Sequence, residues 1–478
     1  MSRTALSRPF LIAAAVLAFA APAAAAPATG LTWEPYTFTL RDKTDFATEK
    51  GTFWVREDRN DPASRMIPIR FLRFKSTNPH PGAPIVYLAG GPGGAGTDTA
   101  KGQRQPIFLA LRAVADVIVF DQRGTGLSST IEPCTPGGPF DFTGTVLTEA
   151  SYTAEYQSVL AQCLTRWRAA GVAINGYTTV QSAEDIEDLR RHLGVPKVSL
   201  WGISYGTHLA FTFMRAHPGS VDRVALSSLE GLDQTVKLPA HLDRAMERIA
   251  AAGGHPELIE TMRRVHAKFD AEPQTMPLRA PDGTTVTFRM DSFALRLVAS
   301  VLPKNPQGIA QLVQLYQALD AGMYEPVAGI LYNNFLKDPL TLRGMPEAMD
   351  IASGITDTRL AQVNAQAPTS LLGRATNAPM PQLRGAIPGI DLGDGFRREI
   401  TSDLPTLIFE GDLDIRTPLE EQAVASAGLR HKQVIRFRNG GHDLFEAHPD
   451  VTRILTDWFS GRPVTVTELV LPAPTPAP

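Results

Sequence analysis

Along this chain the spacing of apolar positions changes several times, and each change predicts an element. "LTWEPYTFTL" (31–40), "GTFWVRED" (51–58) and "MIPIRFLRF" (66–74) mix aromatic and β-branched residues with polar ones, the pattern of edge strands or hairpins. The texture then shifts to short apolar runs that end in glycine, "APIVYLAGG" (83–91) and "ADVIVFDQRG" (115–124). Such runs predict strands buried on both faces of a mainly parallel sheet. "QPIFLALRAV" (105–114) between them has helical spacing. "SAEDIEDLRRHLG" (182–194) predicts an amphipathic helix, with Ser182 as its cap, acids in its first turn, and Arg and His before Gly194. "KVSLWGISYG" (197–206) and "VDRVALSSLEG" (221–231) are the next buried strands.

From 233 to 401 the alternation breaks. Helical segments such as "HLDRAMERIAAAGG" and "PELIETMRRVHAKFD" fill this stretch, with a hairpin expected at "LRAPDGTTVTFRMD" around Asp282-Gly283 and a loop-rich run from 367 to 395. Buried-strand texture returns at "LPTLIFEGDLD" (404–414) and "KQVIRFRNGGH" (432–442), and "PDVTRILTDWFSG" closes as a helix. Strands alternating with helices predict an α/β fold: a mostly parallel central sheet, right-handed crossovers and helices on both faces. The late interruption predicts a mainly helical lid, 233–401, inserted between two parts of one core, 26–232 and 402–465. The tail, 466–478, ends in "LPAPTPAP" and is expected to be loose.

Composition adds limits. The 478 residues are 43% hydrophobic and carry a formal charge of −3, without a basic run. That argues against nucleic acid as a partner. Residues 1–25 have the layout of a secretory signal peptide: Arg3 and Arg8, an apolar stretch from Phe10 to Ala21, and an Ala23-Ala24-Ala25 cleavage site. The stretch is short for a membrane anchor, and no later segment is long and apolar enough for a span. A secreted or periplasmic protein is expected, with no stable membrane insertion after cleavage. In an oxidising compartment the two cysteines, Cys134 and Cys163, are expected to join.

The candidate chemistry begins at "GISYG". Gly202 and Gly206 flank Ser204 where a strand gives way to a helix, the setting of a nucleophile on a strained turn. A serine needs a base, and the base an orienting acid. In the expected order, "FEGDLDIRTP" supplies Asp414, with Asp412 as the alternative, and "RNGGHDLF" supplies His442. The glycine-rich "LAGGPGGAG" (88–96) has neither P-loop nor dinucleotide spacing. Its Gly91 N–H, with that of Tyr205, is the candidate oxyanion donor. No histidine–carboxylate cluster has metal-ligand spacing, so no metal or cofactor is expected.

Together "GGPGGAG", "DQRGTGLS", "GISYG", "GDLDIRTP" and "GGH" resemble, in this order, the α/β-hydrolase peptidases of the proline iminopeptidase and tripeptidyl aminopeptidase group. The length, leader and lid are closer to the tripeptidyl branch. The resemblance implies an α/β-hydrolase fold, Ser204, Asp414 and His442 as triad, and Gly91 with Tyr205 as oxyanion hole. Two features depart from the group: Ala89 stands where the iminopeptidase motif usually begins with histidine, and "AMDIASGIT" lacks a cysteine. Asp121 and Arg123 of "DQRG" are expected to form a structural turn and ion pair. An exopeptidase must hold the substrate's ammonium, and the candidate acids are Glu230, Glu325 and Asp350, with Glu230 preferred. The expected activity is a serine aminopeptidase acting on peptides with a free N-terminus. The alternatives are an esterase, lactonase or amide hydrolase of the same fold, and a non-catalytic binding protein with a retired site.

Overall fold

The computed structural model describes residues 30–138, 145–279, 283, 285–304 and 306–474. The expected leader, 1–25, and Asp282 of the hairpin turn lie outside the described residues.

Ten strands form the main sheet: β1 (Thr32–Thr39), β2 (Asp45–Arg56), β3 (Met66–Phe74), β4 (Ile85–Leu88), β5 (Val117–Asp121), β6 (Val198–Ile203), β7 (Val221–Ser227), β8 (Thr406–Gly411), β9 (Lys432–Arg438) and β10 (Glu468–Val470). Their spatial order is β1-β2-β3-β5-β4-β6-β7-β8-β9-β10. The first three run antiparallel to their neighbours, and every pair from β5–β4 onward is parallel. Strands β4, β5, β6 and β8 are buried at every residue, as their unbroken apolar runs predict. Alternate side chains feed two cores. Ile85, Tyr87, Val117, Val119 and Trp201 face one; Val86, Leu88, Ile118, Phe120 and Leu200 face the other, the period-two consequence of the pleat.

Three expectations need correction. The predicted 182–194 helix, α1 (Thr179–His192), starts earlier, and Thr178, not Ser182, caps it by accepting the Gln181 N–H at 3.3 Å. The buried face extends back through Gln181 to Thr179, so Ser182 is interior and fully buried. The tail is not loose throughout: β10 continues the parallel ladder beside β9, with Leu469 paired to Phe437 and largely buried. The insertion also does not share one core. Residues 239–331, joined by Leu371, Leu372 and Ala375, build an apolar core of their own, which takes in Leu147 and Tyr152 from before the insertion and Leu413 and Ile415 from after it. Other parts of 342–400 instead supply Leu342, Met349, Ile355, Met380 and Ile390 to a core of the main sheet. Strands 274–279 and 285–290 pair as the predicted hairpin, and residues 146–147 add a third strand beside it.

Cys134 and Cys163 are joined, with their Cα atoms 5.7 Å apart. Backbone bonds exchanged between Cys134 and Leu342, at 2.8 and 3.0 Å, fasten the second half of the insertion to this bridge.

Candidate active site

Ser204 sits at the carboxyl end of β6, directly before helix α2 (Tyr205–Ala216). Its backbone has φ 54° and ψ −128°, a conformation that a residue with a Cβ rarely adopts. The flanking glycines are required by close approach. A Cβ on Gly206 would lie 2.1 Å from the Leu88 carbonyl oxygen, and one on Gly202 would lie 2.9 Å from the Gly206 oxygen. The turn thus brings strand and helix together through two positions that tolerate no side chain.

His442 follows β9, and Asp414 follows β8, both at carboxyl ends of parallel strands, where an open α/β sheet places its site. Nδ1 of His442 lies 2.9 Å from Oδ2 and 3.0 Å from Oδ1 of Asp414. Asp414 is buried and also accepts the N–H groups of Arg416 (2.7 Å) and Thr417 (2.9 Å) and the Thr417 hydroxyl (2.7 Å). Burial works to raise its pKa, but the imidazole and these donors prevail and hold it below the usual carboxylate value. Asp412 does not reach the histidine. It accepts the Gly440 N–H at 3.2 Å and so shapes the loop that presents His442. That loop is fixed by the His442 N–H, which donates to the Lys304 carbonyl (3.1 Å), and by the Ser228 hydroxyl, which donates to the His442 carbonyl (2.6 Å). Ser204 N–H in turn donates to the Ser227 carbonyl (3.1 Å), so serine and imidazole are anchored to adjacent residues. Among the described residues, no hydrogen bond joins the Ser204 hydroxyl to the imidazole. Such contacts commonly tighten only when substrate is bound.

Gly91 has φ 129°, in the region that favours glycine. The Tyr205 N–H belongs to the first turn of α2, where helical amides lack intrahelical acceptors. Asp121 fastens the Gly91 loop by accepting the N–H groups of Thr97 (2.9 Å) and Leu127 (2.8 Å). It does not pair with Arg123. That guanidinium is fully buried and grips Asp185 of α1 at 2.6–2.7 Å, together with the carbonyls of Glu57 and Gly176. The expected Asp121–Arg123 ion pair is thus replaced by one between Arg123 and Asp185, across to the helix.

Gly91, Ser204, Glu230, Lys237, Asp350 and Arg416 line one cavity of about 130 Å³, with Thr376–Met380 forming another wall. Glu230 is buried and ion-paired with Lys237. Asp350 comes from helix α3 (Met345–Ser353) and makes no side-chain hydrogen bond among the described residues. Burial, and then the neighbouring charge of Glu230, raise its pKa to about 7. Glu325 is exposed and lies away from this cavity. Sequence reasoning missed Lys237 and Arg416, because nothing in the motifs indicates where the insertion and the Asp414 loop aim their cations.

The model of the alpha/beta hydrolase fold matches residues 83–449. A probable proline iminopeptidase of Streptomyces coelicolor is 27% identical over 152 residues, 32% of this chain and 34% of that protein. A tripeptidyl aminopeptidase of Streptomyces lividans is 26% identical over 190 residues, 37% of this chain and 35% of its own length. The matches thus span about a third of these curated relatives. A solved thermophilic esterase from Thermogutta terrifontis aligns over 85% of this chain and 98% of its own, at 17% identity and a TM-score of 0.36.

Proposed function

The chain belongs to the α/β-hydrolase fold family, and from that premise we propose that it is an exported serine aminopeptidase cleaving peptides with a free N-terminus. The observation that carries this reading is that Ser204 shares one small cavity with the carboxylates of Glu230 and Asp350. Glu230 is already ion-paired with Lys237, whereas Asp350 makes no ion pair among the described residues, with Lys237 and Arg416 acting on it from beyond contact distance. A substrate ammonium would supply the missing partner. The Cys134–Cys163 bond supports export, because such bonds persist in oxidising compartments.

In this reading His442 Nε2 takes the Ser204 proton as Oγ attacks the substrate carbonyl carbon. The N–H groups of Gly91 and Tyr205 receive the oxyanion. The C–N bond breaks, and the imidazolium returns its proton to the departing amine. Water, deprotonated by the same imidazole, then hydrolyses the acyl-enzyme. Asp414 fixes the tautomer and stabilises the imidazolium.

One observation favours a second reading. Lys237 already fills the hydrogen-bonding reach of Glu230, which suits an esterase or amide hydrolase whose acyl group carries no ammonium. Alanyl- and prolyl-p-nitroanilides, each free and N-acetylated, separate the two. An aminopeptidase cleaves the free amines far faster, whereas equal rates favour the alternative. Labelling of Ser204 by a fluorophosphonate tests whether the serine is a nucleophile at all.

A further inference from the structure

The cavity holds a cation that the reaction as described does not use. Arg416 lines it beside Ser204, and among the described residues its guanidinium makes no ion pair and no side-chain hydrogen bond. Arg123, Arg359 and Arg397, which are buried, all grip carboxylates, whereas Arg416 is half-buried. Its charge acts on Asp350 in the same cavity, yet no acceptor is bonded to it among the described residues, which leaves five donors to be satisfied by a ligand or water. Its planar fork matches a carboxylate held by two parallel bonds.

The chain path says where that carboxylate would lie. The Arg416 N–H donates to Asp414, the residue that orients His442. Lys304, whose carbonyl receives the His442 N–H, is an exposed residue close enough to Arg416 for their two charges to act on each other. Lys304 likewise has no carboxylate partner among the described residues. Both cations therefore belong to the segments that hold the imidazole, and the imidazole is the group that must meet the departing nitrogen. Glu230 and Asp350 come from other elements, the turn after β7 and helix α3.

We propose that Arg416, reinforced by the charge of Lys304, binds a carboxylate on the residue that departs with the leaving amine. The preferred substrates are then small peptides carrying an ammonium on one side of the scissile bond and a carboxylate on the other. Two sources supply that carboxylate: the C-terminus of a dipeptide, or an acidic side chain at the same place in a longer peptide. The inference rests on the aminopeptidase reading.

The test compares kcat/KM for Ala-Gly, Ala-Gly-NH2 and Ala-Glu-NH2, with alanyl-p-nitroanilide as a reference, in the wild type, Arg416→Gln and Arg416→Lys. The wild type is expected to prefer Ala-Gly over its amide by about tenfold or more, the scale of one charge-assisted hydrogen bond. In Arg416→Gln that ratio falls towards one, and Arg416→Lys keeps part of it. Using the ratio within each variant cancels any loss common to both substrates. Ala-Glu-NH2 behaving like Ala-Gly means that a side-chain carboxylate suffices; behaving like Ala-Gly-NH2 means that the terminal one is required. Equal rates for all three peptides in the wild type overturn the proposal, as does a ratio unchanged in Arg416→Gln. If alanyl-p-nitroanilide is cleaved under those conditions, the aminopeptidase reading survives. If no free-amine substrate is cleaved, that reading fails and this one with it.

Discussion

At Ser204 the backbone stores strain, and at Asp350 a carboxyl is held near neutrality; both are features of a site shaped for something other than stability. A residue held in such a backbone region costs about 1–3 kcal/mol. Ser204→Gly is therefore expected to raise the melting temperature while abolishing hydrolysis, whereas Ser204→Ala abolishes hydrolysis without the gain. Equal melting temperatures for the two variants would contradict stored strain. Asp350 gives a second separation of stability from function. Its pKa in the folded chain is raised from 3.8 to about 7, so the folded state binds this proton more tightly than the unfolded one. Its contribution to stability consequently falls as pH rises from about 4 to about 7. Asp350→Asn should stabilise the protein at pH 8 and much less at pH 4, measured by thermal melts. The same ionisation is what a substrate ammonium requires. KM for free-amine substrates should fall as pH rises through about 7, and Asp350→Asn should remove that leg of the profile while raising KM.

Among the elements, the β6–α2 turn was legible in the sequence because its physics is local: two glycines, one serine and an apolar run suffice to specify it. Gly206→Ala places a methyl carbon 2.1 Å from the Leu88 oxygen, so α2 must move off β4. A loss of about 1–3 kcal/mol, the usual penalty for overpacking, should accompany reduced activity in the purified variant. The buried strands were legible for the same local reason, and the order Ser204, Asp414, His442 followed from their carboxyl ends. What could not be read depends on contacts between distant segments. Ser182 looks like a cap until the upstream Thr178 is seen to do the work. The 466–478 tail reads as loose by its prolines, yet Glu468–Val470 finds the open edge of β9. Arg123 has Asp121 as its nearest acid in the chain, but its partner is Asp185, 62 residues away. Lys237 carries no motif, and Arg416, although it stands in "GDLDIRTP", is not marked there as a cavity cation; only the folded cavity reveals them.

At the scale of the whole molecule, the insertion must be held against the sheet so that His442 and the cavity keep their places. The clamp is Glu421, buried on the helix Leu419–Ser426 of the core. Both of its oxygens accept from Nη2 of Arg359, at 2.6 Å, from the second half of the insertion. From the first half it accepts the His241 Nδ1–H and the Leu238 N–H, each at 2.9 Å. One carboxylate thus joins three segments that are far apart in the chain. Burial works to raise its pKa, but His241, Arg359 and Leu238 outweigh this and lower it from 4.5 to about 2. The sign follows directly: this stabilisation is present above about 4.5 and is lost as pH falls towards 2. Removing one partner of a buried pair costs about 3–5 kcal/mol, because the other charge is left without compensation. Arg359→Ala should therefore lower the urea midpoint strongly at pH 7, with the gap to the wild type narrowing as the buffer is acidified below 4.5. Because Leu413 and Ile415, on either side of Asp414, pack into the core of the first half of the insertion, loosening this clamp also loosens the loop that orients the imidazole. In Arg359→Ala, kcat should fall at pH 7 at denaturant concentrations well below the unfolding transition, whereas a clamp that serves stability alone would leave kcat unchanged there.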